Sequence, residues 1–107
     1  SQVKKIFDHA AGMTNGILQV SENVRYSFSP GNTAQKIVIN GELLNDNQEY
    51  WVAAPNFVTQ GGDGYLEFNN SLEYIDSGVL VVDATEIFLK SIETYQPKYD
   101  GRIKVLD

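Results

Sequence analysis

The chain opens with apolar residues at the period of an α-helix. Spacings of three and four residues place them on one face, with polar residues on the other. These positions are Val3, Ile6, Phe7, Ala10 and Ala11. The pattern predicts a helix that ends at Gly12 and buries a single stripe. His9 lies off that stripe, so we expect it to face solvent rather than to act as a catalytic base.

The helical period breaks at Asn15-Gly16. Short apolar runs follow, one of which alternates with polar residues, and they predict strands. These strands cover residues 17–20, 24–28 and 35–39. The sequence Ser-Pro-Gly-Asn at residues 29–32 is typical of a turn. Asn40-Gly41 is the pair preferred in a tight type I′ hairpin, so we predict that residues 42–44 pair back on the preceding strand.

The second half of the chain predicts two further strands and a second helix. The strands cover residues 51–54, which stop at Pro55, and residues 78–82. Asp83 stands three residues before Glu86, as in a capping box, so we predict that the helix starts there and stops before Pro97. The residues that share its apolar face are Ala84, Ile87, Phe88 and Ile92.

The order of these elements, helix, several strands, helix and a short tail at residues 101–103, favours an α+β fold. We predict a mixed, largely antiparallel sheet with two main helices packed on it, because each helix has one apolar stripe to bury. A length of 107 residues suits one compact domain. The chain starts at Ser1-Gln2 without a methionine, from which we expect a piece of a longer polypeptide.

Composition limits the classes of partner. The formal net charge is −6, and the eight Lys and Arg residues are scattered, so nucleic acid polymers and anionic membranes would be repelled. No sequence window approaches the roughly 18 apolar residues of a membrane span. Cysteine is absent, which rules out disulfides, thiolate metal sites and cysteine nucleophiles.

Candidate chemistry is concentrated where an apolar run meets a glycine-rich turn. Gly61, Gly62 and Gly64 surround Asp63, and their freedom to take positive φ predicts a sharp bend that a ligand can approach closely. Phe57 lies six residues before Asp63. The pair suits an aromatic stacking platform beside an acid. The alternative is that Phe57 plugs the core beneath the loop and Asp63 caps a backbone amide.

Several motifs, in the right order along most of the chain, resemble the C-terminal domain of the 5′-nucleotidase, UDP-sugar hydrolase and 2′,3′-cyclic-nucleotide phosphodiesterase family. The most specific is Pro-Asn-Phe at residues 55–57 followed by Gly-Gly-Asp-Gly-Tyr at residues 61–65. The others are Gly-Ile-Leu-Gln-Val-Ser at residues 16–21, the Asn40-Gly41 hairpin and Gly-Arg-Ile at residues 101–103.

The resemblance implies that Phe57 stacks on a nucleobase and that Asp63 binds ribose hydroxyls, with Asn56, Gly61 and Gly62 completing the substrate-binding set. Residues 1–107 would form part of a substrate-recognition domain. A metallophosphoesterase domain upstream in the same polypeptide would hold a divalent metal pair such as Zn or Mn, whereas this chain would hold no cofactor. The family's second stacking aromatic and its phosphate-binding arginines would also lie upstream.

The resemblance further implies a nucleotide or nucleoside substrate and an exported location, in the periplasm, at the cell wall or outside the cell. Catalytic residues are expected in the upstream domain and none here, so this chain alone should be inactive. Neither Arg25 nor Arg102 occupies a phosphate-binding position. The residues leave two other functions open, a carbohydrate- or peptide-binding module of a surface protein and a purely structural domain.

Overall fold

The computed structural model describes residues 1–13 and 17–107, so the predicted break at Asn15-Gly16 lies outside the described residues. Within the described residues the helices are α1 (Gln2–Gly12), α2 (Asn56–Thr59) and α3 (Val81–Ile92). The strands are β1 (Val24–Phe28), β2 (Ala34–Ile39), β3 (Glu42–Leu43) and β4 (Ile103–Val105). They form one mixed sheet in the order β3-β2-β1-β4. The predicted α+β class is confirmed.

Helix α1 is capped at its start and packs on two sides. The Ser1 hydroxyl accepts a hydrogen bond from the Lys4 backbone N–H at 3.3 Å, which satisfies one of the free amides of the first turn. Phe7 and Ala11 face the sheet, whereas Ile6 and Ala10 face the segment that contains the glycine-rich loop. The predicted helix and its end at Gly12 are confirmed.

The antiparallel part of the sheet follows the turn signals in the sequence. β1 pairs with β2, and β2 pairs with β3 across the predicted hairpin. Asn40 and Gly41 take φ values of 53° and 82°, the positive values that a type I′ turn requires. The Asn32 N–H donates to the Ser29 carbonyl at 3.0 Å, which confirms the turn between β1 and β2.

The tail of the chain is a strand that runs parallel to β1. The Tyr26 N–H donates to the Arg102 carbonyl at 2.9 Å, and the Leu106 N–H donates to the Phe28 carbonyl at 2.7 Å. The Arg102 guanidinium donates to both carboxylate oxygens of Asp100 and, at 3.0 Å, to the Val20 carbonyl. Arg102 therefore holds the tail against the segment before β1.

The core lies between α1 and the sheet. Tyr26 and Phe28 are each 2% exposed and stack on one another, and Phe7 meets the Tyr26 ring edge-on at 4.9 Å. The Tyr26 hydroxyl donates to the Leu18 carbonyl at 2.9 Å. Burial raises the pKa of Tyr26 to about 12, with a smaller contribution from Tyr65.

Three predicted strands are wrong. Residues 17–20 are irregular, although Ile17, Leu18 and Val20 pack on the core. Residues 51–54 and 78–80 likewise have no strand structure, and α3 begins at Val81. A strand needs a neighbouring edge for its backbone hydrogen bonds. No pairing partner for these segments occurs in the part of the chain that the structure describes.

Helix α3 also differs from its prediction. It begins two residues before Asp83, its N-cap is Leu80, and no side chain caps it, so the predicted capping box is wrong. Every residue of α3 is exposed, as are all residues from 71 to 99, so its apolar stripe does not cover the sheet as predicted. The helix that packs there is α1. Among the described helices, none has the length and apolar content needed to cross a membrane.

Candidate functional site

Phe57 lies on α2, a single helical turn, rather than at the end of a strand. The Val58 N–H donates to the Pro55 carbonyl at 3.0 Å, and the Asn56 side-chain oxygen accepts from the Phe57 N–H at 2.9 Å. The Asn56 side-chain oxygen is thus used in a hydrogen bond to the backbone of α2. Phe57 is 60% exposed, so the alternative that it plugs the core is wrong.

The Phe57 ring lies directly against Gly62. A Cβ atom placed on Gly62 would come within 2.4 Å of the Phe57 carbonyl oxygen and 2.5 Å of the ring carbon Cε1. Such distances are far inside van der Waals contact, so only glycine fits at this position. The close approach brings the ring beside the residue that immediately precedes Asp63.

Asp63 sits at the tip of a strained turn. Its φ of 55° lies in the left-handed region that residues with a Cβ adopt rarely. Gly61 and Gly64 flank the turn with φ values of 95° and 81°, which confirms the predicted sharp bend. Asp63 is exposed. An acid is thereby presented at the surface, one residue from the glycine that contacts Phe57.

Tyr65 anchors the loop to the body of the domain. It is 3% exposed and packs with Ile6 and Ala10 of α1. Burial, and secondarily the negative charge of Asp63, raise the pKa of Tyr65. Its hydroxyl is buried and has no hydrogen-bond partner among the residues described.

His9 contacts the same loop, so the expectation that it faces solvent is wrong. Its Nε2 atom lies 2.8 Å from the Asp63 carbonyl oxygen, and its ring meets the Tyr65 ring edge-on at 4.6 Å. The sequence indicates only which side of α1 carries His9 and not the atom that it contacts. His9 follows Ile6 by three residues, so the two share a face of α1, and Ile6 packs on Tyr65 rather than on the sheet.

The structure therefore brings Phe57, Gly61, Gly62 and Asp63 together in one surface feature, with Asn56 at its edge. An exposed ring offers a flat apolar face, and an exposed carboxylate offers acceptors for hydroxyl groups. Across residues 1–13 and 17–107, no group of three or more His, Cys, Asp or Glu side chains is placed to hold a metal ion. Arg25 and Arg102 lie instead on β1 and beside β4.

The family model of the 5′-nucleotidase C-terminal domain matches residues 1–70, which include α1, the antiparallel strands and the whole glycine-rich loop. The chain belongs to this family. The resemblance seen in the motifs is thus confirmed. The candidate residues Phe57 and Asp63 lie within the matched part of the 5′-nucleotidase C-terminal domain, whereas α3 and β4 lie beyond it.

Curated relatives extend the similarity over nearly all of the chain. A human 5′-nucleotidase is 30% identical over 97% of this chain, and a 5′-nucleotidase of Diplobatis ommata is 27% identical over 96%. A trifunctional nucleotide phosphoesterase protein of Bacillus subtilis, YfkN, is 34% identical over 76%. The chain spans 21%, 20% and 6% of the lengths of these proteins. It therefore corresponds to a small part of each relative.

Proposed function

We propose that this chain is the nucleoside-recognition part of a 5′-nucleotidase-type phosphohydrolase, with the base stacked on Phe57 and the ribose hydroxyls bound by Asp63. The observation that carries the proposal is the placement of the Phe57 ring. It is exposed, yet it is held against Gly62, the residue next to Asp63. A planar base on that ring would have its sugar beside the loop that carries the acid.

The two contacts are large enough to matter for substrate affinity. Stacking of a base on an aromatic side chain contributes about 1–3 kcal/mol, and a hydrogen bond to a charged acceptor contributes about 1.5–3 kcal/mol. Stacking tolerates any base because each has a π-face, so Phe57 favours broad base specificity. Asp63 would select for the sugar hydroxyls instead.

Hydrolysis belongs, in this proposal, to the rest of a longer polypeptide. An N-terminal metallophosphoesterase domain with a divalent metal pair, such as Zn or Mn, would supply the cleavage chemistry, and this chain alone would be inactive. The similarity to a 5′-nucleotidase and to a nucleotide phosphoesterase protein supports this assignment. Export from the cytoplasm is part of the same proposal.

The test is Phe57→Ala in the full-length protein, with the ratio kcat/KM measured for a nucleotide and for a small phosphate ester that lacks a base. We expect kcat/KM for the nucleotide to fall about tenfold or more, because stacking is lost. We expect kcat/KM for the small ester to stay unchanged. Phe88→Ala is the matched control, since Phe88 is also exposed but lies on α3. Equal losses on both substrates would contradict stacking.

Exposed aromatic side chains outside the loop favour a second candidate, a carbohydrate- or peptide-binding module. Trp51 and Tyr74 are 75% and 53% exposed, and Tyr99 is fully exposed. Titration of the protein with nucleosides and with simple sugars, followed by Trp51 and tyrosine fluorescence, separates the two functions. Saturable binding of sugars without binding of nucleosides would favour the second candidate.

A further inference from the structure

The contact between His9 and the glycine-rich loop has a defined donor and acceptor. The Asp63 carbonyl oxygen can only accept a hydrogen bond, so the His9 Nε2 atom, 2.8 Å away, must carry a proton. The imidazole ring also leaves no room for a side chain at Gly64 of the loop. A Cβ placed on Gly64 would lie 2.9 Å from the His9 Cε1 atom. Ring and loop therefore fit closely together.

The accepting carbonyl belongs to the residue in the strained conformation. Asp63 has a φ of 55°, in the left-handed region that costs a residue with a Cβ some free energy, although aspartate tolerates it better than most, so contacts from the surroundings help to hold it. The turn has two backbone hydrogen bonds at the upper end of the usual range, 3.1 Å from the Gly64 N–H to the Gly61 carbonyl and 3.2 Å from the Tyr65 N–H to the Gly62 carbonyl. The bond from His9, at 2.8 Å, comes from a separate element, helix α1.

We propose that His9 is a positioning residue for nucleoside recognition, which holds the Asp63 peptide group in its left-handed conformation and so fixes the direction of the Asp63 carboxylate. This inference rests on the proposed function of Asp63. His9 would contact no substrate atom itself. It acts through the loop backbone, and its edge-on contact with the buried Tyr65 ring fixes the imidazole in turn.

Three variants of the full-length protein separate the hydrogen bond from the ring. His9→Gln retains an N–H donor near the position of Nε2, His9→Phe retains a ring against Tyr65 without a donor, and Asp63→Ala removes the carboxylate. We expect His9→Phe to raise KM for a ribonucleotide about fivefold, the equivalent of one hydrogen bond, with kcat unchanged. His9→Gln should restore most of the affinity. A phosphate ester without a ribose should be hydrolysed equally by all three.

Hydrogen exchange of the loop peptide, residues 58–68, gives a readout that needs no substrate. Exchange should be faster in His9→Phe and return towards the original rate in His9→Gln. If Asp63→Ala raises KM but His9→Phe changes neither KM nor loop exchange, the positioning role is wrong. Equal defects in His9→Gln and His9→Phe would also overturn it. If His9→Phe speeds loop exchange while Asp63→Ala leaves KM unchanged, the failure lies in the proposed function of Asp63.

Discussion

Single residues decide whether the candidate site can form, and Gly62 is the clearest case. Its φ is not in the left-handed region, so conformational freedom does not explain the glycine. Glycine is required because the Phe57 ring and carbonyl lie directly against the Gly62 Cα atom. The stacking platform and the glycine turn thus depend on each other through one close contact.

This contact leads to a prediction for Gly62→Ala. The added methyl group must displace the Phe57 ring or carbonyl, so KM for a nucleotide should rise to about the same extent as in Phe57→Ala. Gly12→Ala is the matched control, because its Cβ would meet no atom within 4 Å and its φ is ordinary. Steady-state kinetics of the full-length variants measure both. Unchanged KM in Gly62→Ala would show that the ring position is unimportant.

The sequence predicted some of these residue roles and missed others for a physical reason. Phe57 and Asp63 belong to a short local motif, so they could be chosen from the printed sequence. His9 could not, because its partner is the carbonyl of a residue 54 positions away. The sequence around a histidine on a helix does not identify the backbone atom to which it will bind. The roles of Phe57 and Asp63 as ligand contacts stay predictions.

At the scale of elements, the sequence predicted local turns correctly but did not predict which strands pair over long distances. The Asn40-Gly41 hairpin formed where its turn chemistry required it. Residues 51–54 have the composition of a strand, but no described strand lies beside them to accept their hydrogen bonds. In contrast, the tail became β4 because β1, about 75 residues earlier, offered a free edge. Composition cannot reveal which edges remain open.

The ion pair before β4 gives a prediction about acid stability. Hydrogen bonds from Arg102, which outweigh partial desolvation, lower the pKa of Asp100 to about 2. An unfolded aspartate has a pKa of about 3.9. A lowered folded pKa means that this stabilisation is complete above about pH 4 and is lost as the pH falls towards 2.

We therefore expect Asp100→Asn to lower the free energy of unfolding at pH 7 and to have a progressively smaller effect between about pH 4 and pH 2. Urea denaturation of both proteins at several pH values measures the difference, in which the titration of all other carboxylates cancels. A difference that stays constant down to pH 2 would mean that the Asp100 carboxylate is not stabilised by Arg102 in solution.

On the scale of the whole molecule, buried apolar area is unevenly distributed. The core residues come from α1, β1, β2 and Tyr65, whereas residues 71–99 are exposed throughout. Hydrophobic stabilisation depends on area removed from water, so α3 contributes little to it despite its apolar stripe. The part of the chain that matches the family model, residues 1–70, stops where this exposed segment begins. We expect the two parts to differ in stability.

The same substitution in each part tests this expectation. Phe28→Ala removes a ring that is 2% exposed and should lower the free energy of unfolding by about 3–5 kcal/mol, a large share of the roughly 5–15 kcal/mol of a typical domain. Phe88→Ala removes a ring that is 54% exposed and should change it by about 0.5 kcal/mol or less. Chemical denaturation of the two variants gives the comparison. Similar losses would mean that the apolar face of α3 is covered in solution, because only a buried ring leaves a cavity when it is removed.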